Sequence, residues 1–172
     1  DLPLPDDSDY FEQFAASRFA GRWTPGLFVE TARGCSWGEK SHCTFCGLNA
    51  GGMDFRARSA DRVYGSLAYL ARRYPAVKNY QAADNILSMK YFHDLLPRMA
   101  HDPPAPGVEL FWSVKANMRR AQVKAMADAG IRSVQPGIES LSDNLLVRMR
   151  KGVSALQNIY FMKCCREQGI AV

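Results

Sequence analysis

Short apolar runs and amphipathic stretches alternate along most of this chain. The apolar runs are rich in β-branched and aromatic residues and are bounded by turn residues, which is typical of buried strands. They predict strands at residues 27–31, 77–81, 108–114, 131–135 and 169–172. The amphipathic stretches have the spacing of helices with one apolar face. They predict helices at residues 60–73, 89–100, 118–129, 143–149 and 155–168.

This alternation determines the predicted fold class. Repeated strand–helix units with short connections favour an α/β fold with a parallel sheet, as in a (β/α) barrel or a doubly wound fold. Residues 27–172 hold about four such units and the start of a fifth strand. An apolar strand at a sheet edge is normally covered, so we expect residues 27–172 to be the N-terminal part of a longer barrel. Residues 1–26 do not repeat the pattern, and we interpret them as a lead-in linker with a short aromatic helix.

Composition and charge exclude several classes of protein. Hydrophobic residues make up 47% of the chain, but no uninterrupted apolar run approaches the ~20 residues of a membrane span. The acidic, proline-bearing start lacks the basic and apolar regions of a secretory signal, so we expect a cytoplasmic protein without a membrane partner. The net charge of +5 is spread over short basic runs. This pattern predicts no nucleic-acid partner.

Three cysteines, Cys35, Cys43 and Cys46, lie close together directly after the first predicted strand. An odd total of five cysteines with this clustered spacing argues against a disulfide framework and for metal binding. The carboxyl end of a parallel strand is also where α/β barrels place their active sites. Three thiolates can hold a [4Fe-4S] cluster while one iron stays open for chemistry.

A structural zinc site is the main alternative for this loop. Cys43 and Cys46 have the spacing of a zinc knuckle, and Cys35 and His42 could complete a site with three cysteines and one histidine. However, His42 adjoins Cys43, so both side chains would have to turn onto one ion. The sequence also lacks a second Cys-x-x-Cys pair.

In their strand context these residues resemble the radical S-adenosylmethionine (SAM) superfamily, whose cysteine triad follows the first barrel strand. The usual spacing is Cys-x3-Cys-x2-Cys, whereas this chain has Cys35-x7-Cys43-x2-Cys46. The longer loop is similar to that of the cobalamin-binding radical SAM proteins that mature ribosomally made peptides, a group that includes C-methyltransferases. The resemblance extends over nearly the whole chain and includes residues 5–14, 83–87, 114–117, 137–140 and 149–152.

The resemblance implies which residues hold the cofactors. The three cysteines would ligate three irons, and the amino and carboxylate groups of SAM would chelate the fourth. Polar and aromatic groups at later strand ends would supply the other SAM contacts, although residues 82–85 are Ala-Ala-Asp-Asn in place of the common Gly-Gly-Glu. We expect Phe45 beside the adenine, Asp84 and Asn85 around the amino group, Lys115 at the carboxylate, and Glu139 at the ribose or amino group.

The resemblance also implies a reaction and its partners. The expected activity is the cleavage of SAM and the modification of a ribosomally made peptide, through cobalamin-dependent C-methylation. Cobalamin would be bound by a domain that precedes residue 1, and a flavodoxin or ferredoxin would supply electrons. The alternatives are another radical SAM reaction, such as epimerisation, cyclisation or oxidation, and a non-enzymatic iron–sulfur or zinc module. The motifs identify no catalytic residue beyond the cofactor contacts.

Overall fold

A parallel β-sheet forms the centre of the computed structural model, which describes residues 3–48 and 52–172. Its four strands follow one another from edge to edge in chain order. They are β1 (Leu27–Val29), β4 (Asn79–Ala82), β5 (Glu109–Ser113) and β6 (Ile131–Gln135). The two short strands β2 (Ala32–Arg33) and β3 (Arg56–Ala57) form a separate antiparallel pair.

Helices lie before, between and after the strands. They are α1 (Ser8–Ala16), α2 (Gly38–Ser41), α3 (Ala60–Arg73), α4 (Leu95–His101), α5 (Arg120–Asp128), α6 (Asp143–Arg148) and α7 (Ala155–Glu167), with a 3-10 helix at Met89–Phe92. A fifth strand position begins at Ala171, which pairs in parallel with Ser133. The predicted α/β fold, a partial parallel (β/α) barrel, is therefore confirmed.

The core lies between the helices and one face of the sheet. Helix α3 starts after Ser59, whose side chain accepts a hydrogen bond from the Arg62 N–H, and it buries Val63, Leu67 and Leu70 on one face. This spacing places the three side chains along a single stripe, and each contributes about 1.5–3 kcal/mol when it is removed from water. On β1, Leu27 and Val29 point into this core. The intervening Phe28 is 65% exposed on the opposite face.

The first strand is shorter than predicted because its last residues bond elsewhere. The parallel pairing of β1 with β4 ends at Val29 and Ala82. The N–H groups of Thr31 and Ala32 then donate to the side chain of Asp84 instead of to a neighbouring strand. Residues 30–31 are consequently a connection between β1 and β2.

The helix predicted at residues 89–100 is divided into a 3-10 turn and α4. The side chain of Asp94 accepts a hydrogen bond from the Leu95 N–H at the start of α4. Pro97 lies in the first turn of this helix, where a backbone N–H has no intrahelical partner and its loss costs little. The proline is therefore compatible with a helix that continues to His101.

The lead-in segment contains the expected short helix, α1, which packs against the end of α3. The ring of Phe11 lies 5.0 Å from that of Tyr74, and the Tyr74 hydroxyl accepts a hydrogen bond from the Asp7 N–H at 2.7 Å. Residues 1–2 of this segment lie outside the described residues, and the upstream cobalamin domain stays a prediction. Within residues 3–48 and 52–172, none of the helices has the length and apolar character needed to cross a membrane.

Candidate active site

The cysteine loop spans residues 34–55 and is closed at its base by the pairing of β2 with β3. Just inside this base, the Cys35 N–H donates to the Met53 carbonyl at 3.3 Å. Gly34 has a φ of +78°, and a Cβ at this position would lie 2.1 Å from the carbonyl oxygen of Asp54. Only glycine fits this close crossing, which sets the direction in which the loop leaves the sheet.

The three cysteine thiols line one cavity of about 170 Å³ at the carboxyl ends of the parallel strands. All three are free thiols that form no disulfide, and they are partly buried. The Gly38 N–H at the start of α2 donates to the sulfur of Cys35 at 3.3 Å, and the Cys46 N–H donates to the Cys43 carbonyl at 3.2 Å. These local bonds orient the chain on either side of the thiols.

The other walls of the cavity come from successive strand ends and from two aromatic residues of the loop. Side chains after β4, β5 and β6 contribute in turn, as expected when parallel strands end at one edge. Seven of the eight predicted site residues meet here: Cys35, Cys43, Cys46, Phe45, Asn85, Lys115 and Glu139. Further lining residues are Trp37, Leu48, Ile86, Val114, Gln135, Pro136, Gly137 and Lys151.

Asp84 is the predicted site residue that the structure does not bring into the cavity. Its carboxylate is 4% exposed and accepts hydrogen bonds from the Thr31 and Ala32 N–H groups at 2.8 and 2.9 Å. It also accepts from the Thr31 hydroxyl and, at 3.1 Å, from Nε1 of Trp112. Burial raises the pKa of Asp84, and these hydrogen bonds act in the opposite direction. Asp84 fixes the connection between β1 and β2, below the cysteine loop.

Lys115 reaches the cavity from the end of β5 and is held on two sides. Its ammonium lies 3.5 Å from the centroid of the Trp37 ring and donates to the carbonyl of Gly152 at 2.8 Å. Burial lowers the pKa of Lys115 to about 8, with a further contribution from the nearby charge of Lys151. The Cys43 and Cys35 thiolates favour the charged form. A cation at this position is thus suited to binding an anionic group.

Glu139 supplies the carboxylate of the cavity. One of its oxygens lies 3.3 Å from the ammonium of Lys151, which also lies 5.7 Å from the centroid of Phe45. Gly137 leaves the space for this ion pair, because a Cβ there would lie 3.0 Å from the Lys151 nitrogen. Phe45 itself lines the cavity and is 50% exposed, and an aromatic ring offers an apolar surface to a planar ligand.

Residues 149–152 form the turn between α6 and α7, named here the 149–152 turn. Each of its four residues contacts the cysteine loop. The Thr44 N–H donates to the Met149 carbonyl at 3.1 Å, and Trp37 Nε1 donates to the Arg150 carbonyl at 3.0 Å. Sequence reasoning noted Lys151 and Gly152 in a shared motif but assigned them no role. Trp37 was missed entirely, because nothing in its local sequence indicates a contact more than one hundred residues away.

The donor set of the cavity fits a cluster better than a zinc ion. His42 does not line the cavity, and its Nε2 lies 3.1 Å from the Cys46 carbonyl oxygen. In the part of the chain that the structure describes, no three His, Cys, Asp or Glu side chains are grouped closely enough to hold one metal ion. Burial raises the pKa of the Cys43 thiol, while the Lys151 ammonium lowers it. Three thiolates around one cavity are the ligand type of iron–sulfur clusters.

Comparison with known proteins gives the family. The radical SAM superfamily model matches residues 29–172, which include every element from the end of β1 onwards. The chain belongs to the radical SAM superfamily. The resemblance seen in the cysteine loop is thereby confirmed.

Individual relatives narrow the comparison within the superfamily. The chain is 25% identical to an uncharacterized methyltransferase of Pyrococcus horikoshii, over 99% of this chain and 36% of that protein. Its fold matches the radical SAM methyltransferase TsrM from Kitasatospora setae, solved with a tryptophan substrate and a SAM analogue (TM-score 0.72, 20% identity, 84% and 29% coverage). It also matches OxsB, a cobalamin-dependent SAM radical enzyme with aqua-cobalamin bound (TM-score 0.75, 19% identity, 99% and 25% coverage).

These alignments also show the extent of the chain. It spans about a third of the length of the Pyrococcus relative and a quarter to a third of the two solved structures. The solved structures share its fold. Another TsrM structure contains both cobalamin and a [4Fe-4S] cluster.

Proposed function

We propose that this chain is the cluster-binding part of a cobalamin-dependent radical SAM methyltransferase. The observation that carries this proposal is the meeting of three thiols, two ammonium groups and one carboxylate in a single cavity at the strand ends. The free amino acid end of SAM has one carboxylate and one amino group, so Lys115 and Glu139 provide a counter-charge for each. A non-enzymatic iron–sulfur module would have no need for such a pair beside its thiols.

Seven residues of the cavity have a role in this proposal. Cys35, Cys43 and Cys46 hold three irons, which leaves the fourth iron accessible to the amino acid end of SAM. Lys115 pairs with the SAM carboxylate, and Glu139 accepts from the amino or ribose groups. The side-chain amide of Asn85 supplies a further polar contact, while Phe45 presents its ring to the adenine. When bound, the cluster supplies the electron that cleaves SAM, and cobalamin supplies the methyl group.

The proposal also includes a substrate, a reductant and a cobalamin carrier. The names of the Pyrococcus relative and of TsrM support methyl transfer, and OxsB supports a cobalamin-dependent member of the superfamily. The resemblance of the cysteine loop to peptide-maturing enzymes supports a ribosomally made peptide as substrate, methylated on carbon. A flavodoxin or ferredoxin is the proposed reductant, and a domain before residue 1 is the proposed cobalamin carrier.

The test uses the full-length protein, reconstituted anaerobically with iron and sulfide. We expect the electron paramagnetic resonance (EPR) signal of the reduced cluster to change when SAM is added, and 5′-deoxyadenosine or S-adenosylhomocysteine to form. Addition of methylcobalamin and a candidate peptide should then give a product heavier by one methyl group. An EPR signal that does not change when SAM is added, with no nucleoside product, would refute the proposal that the protein is an enzyme. SAM cleavage without methylation would leave epimerisation, cyclisation or oxidation as the reaction.

A further inference from the structure

Glu139 has a backbone conformation that most residues avoid. Its φ is 57°, and Glu139 and Arg150 are the two non-glycine residues with positive φ in residues 3–48 and 52–172. The left-handed region costs a non-glycine residue roughly 1–2 kcal/mol. The Ser140 N–H bonds back to the Ile138 carbonyl at 2.6 Å, which folds the chain tightly around Glu139. A conformation of this kind persists only where the surroundings hold it.

Asn158 on α7 is the residue that holds it. Its side chain is fully buried, and its Nδ2 donates to the carbonyls of Ile138 at 3.1 Å and Ser140 at 3.0 Å. These are the two carbonyls on either side of Glu139. Because both partners are acceptors, the NH₂ group and not the amide oxygen must face them. One side chain therefore fixes both ends of the left-handed residue.

The identity of residue 158 matters for this contact. The side-chain amide of Asn158 supplies two N–H donors, one for each carbonyl. Leucine has a similar volume but would offer no donor to the Ile138 and Ser140 carbonyls.

We infer that Asn158 is a positioning residue for the candidate active site. It does not line the cavity, but it holds the backbone of Glu139 in the conformation from which the carboxylate reaches Lys151 and the cavity. The ligand of that carboxylate, SAM, follows from the proposed function. The control of the Glu139 backbone by Asn158 follows from the hydrogen bonds alone.

The test compares Asn158→Leu with wild type in the reconstituted full-length protein. We expect the affinity for SAM, titrated through the EPR signal of the cluster, to fall about tenfold or more, because the backbone conformation that presents Glu139 is no longer held by its two hydrogen bonds. Iron content should stay at the wild-type level. In a Glu139→Ala background, Asn158→Leu should not weaken SAM binding further, because the group that it positions is already absent.

Cys164→Ala is the matched control, because Cys164 is a buried residue of the same helix and is absent from the cavity. It should lower the melting temperature without changing SAM affinity. Two results would overturn the inference: unchanged SAM affinity in Asn158→Leu, or an equal loss with and without Glu139.

Hydrogen exchange of the cofactor-free protein separates this inference from the proposed function. Asn158→Leu should speed amide exchange in residues 138–141 relative to wild type and to Cys164→Ala. Unchanged exchange there would also overturn the inference. A wild-type cluster that does not respond to SAM would refute the proposed function, and the exchange result would then decide the role of Asn158.

Discussion

Trp37 lies against Gly152 so closely that a Cβ on residue 152 would be 2.1 Å from its ring. The same indole donates a hydrogen bond to the Arg150 carbonyl. The Lys115 ammonium lies over its ring, 3.5 Å from the centroid. Trp37 belongs to the cysteine loop, Lys115 follows β5, and Gly152 belongs to the 149–152 turn. This contact therefore joins three separate segments of the chain around the cavity.

Gly152→Ala should weaken the cluster site more than it weakens the fold. The new methyl group would displace Trp37, and the φ of +61° at this position adds a backbone cost of about 1 kcal/mol. We expect lower iron retention after gel filtration of the reconstituted full-length protein. Gly107→Ala is the control, because Gly107 has a φ of +75° and nothing within 4 Å of its missing Cβ. Equal iron retention in the two variants would contradict this prediction.

Cys43→Ala should abolish the [4Fe-4S] cluster, because two thiolates cannot hold three irons of the proposed site. The absorbance and EPR signal of the reconstituted full-length protein measure this directly. Cys164→Ala removes a buried thiol outside the cavity and should leave the cluster intact. Full cluster content in Cys43→Ala would show that the ligand assignment is wrong.

Lys115→Met should weaken SAM binding while the cluster stays assembled. Loss of a hydrogen bond to a charged group costs about 1.5–3 kcal/mol, which corresponds to a tenfold to hundredfold lower affinity. The SAM dependence of the cluster's EPR signal gives the affinity. Lys124→Met removes an ammonium that pairs with Asp128 on the exposed side of α5, and it should bind SAM normally. If both variants bind SAM like wild type, Lys115 has no role in SAM binding.

Asp84→Asn should lower the stability of the full-length protein. Asp84 accepts four hydrogen bonds, and an amide nitrogen in place of one oxygen would leave Nε1 of Trp112 or a backbone N–H without an acceptor. We expect a loss of roughly 1–3 kcal/mol in the free energy of unfolding, measured with urea on the cofactor-free protein. Asn85→Asp changes the adjacent residue, which lines the cavity, and should have a smaller effect on stability. Wild-type stability in Asp84→Asn would contradict the anchoring role.

Tyr91→Phe should change how stability depends on pH. The buried Tyr91 hydroxyl donates to the carbonyls of Thr31 and Arg58, and burial raises its pKa from the ordinary 10.0 to about 12. Folding therefore favours the neutral phenol. The contribution of the Tyr91 hydroxyl to the free energy of unfolding is complete below pH 10 and is lost as the pH rises through about 12.

Urea unfolding of the full-length protein between pH 9 and 12, in the cofactor-free state, measures this contribution. Tyr91→Phe should be less stable than wild type at the lower pH and should show a smaller loss as the pH rises. Tyr69→Phe removes a partly exposed hydroxyl and should follow the wild-type curve. Parallel curves for wild type and Tyr91→Phe would contradict the prediction.

The sheet and most of the site were predictable because they depend on local patterns. Alternating apolar runs and amphipathic stretches identify the strands and helices, and parallel strands end at one edge. Polar residues within a few positions of a strand's carboxyl end are then candidates for the same cavity. Together with the resemblance, this reasoning predicted that Asn85, Lys115 and Glu139 share one site, and the three side chains line the same cavity. Their roles in SAM binding stay predictions.

The same reasoning could not separate Asp84 from Asn85. Adjacent residues at a strand end point to opposite sides, so one turns into the protein and the other towards the cavity. Asp84 turns inwards because it bonds to Thr31, which is more than fifty residues away in the sequence, and to Trp112 in the neighbouring strand β5. The contacts of Trp37 and Asn158 were beyond prediction for a similar reason, since each depends on how distant segments pack.

The pairing of β2 with β3 has a consequence for the energetics of the cysteine loop. Bringing the two ends of residues 34–55 together costs chain entropy of about 2.7 kcal/mol for a loop of that length. In the structure this cost is offset by backbone hydrogen bonds and by the anchoring of Thr31. The groups that close the loop are therefore distinct from the three thiols, so the thiols remain available as ligands.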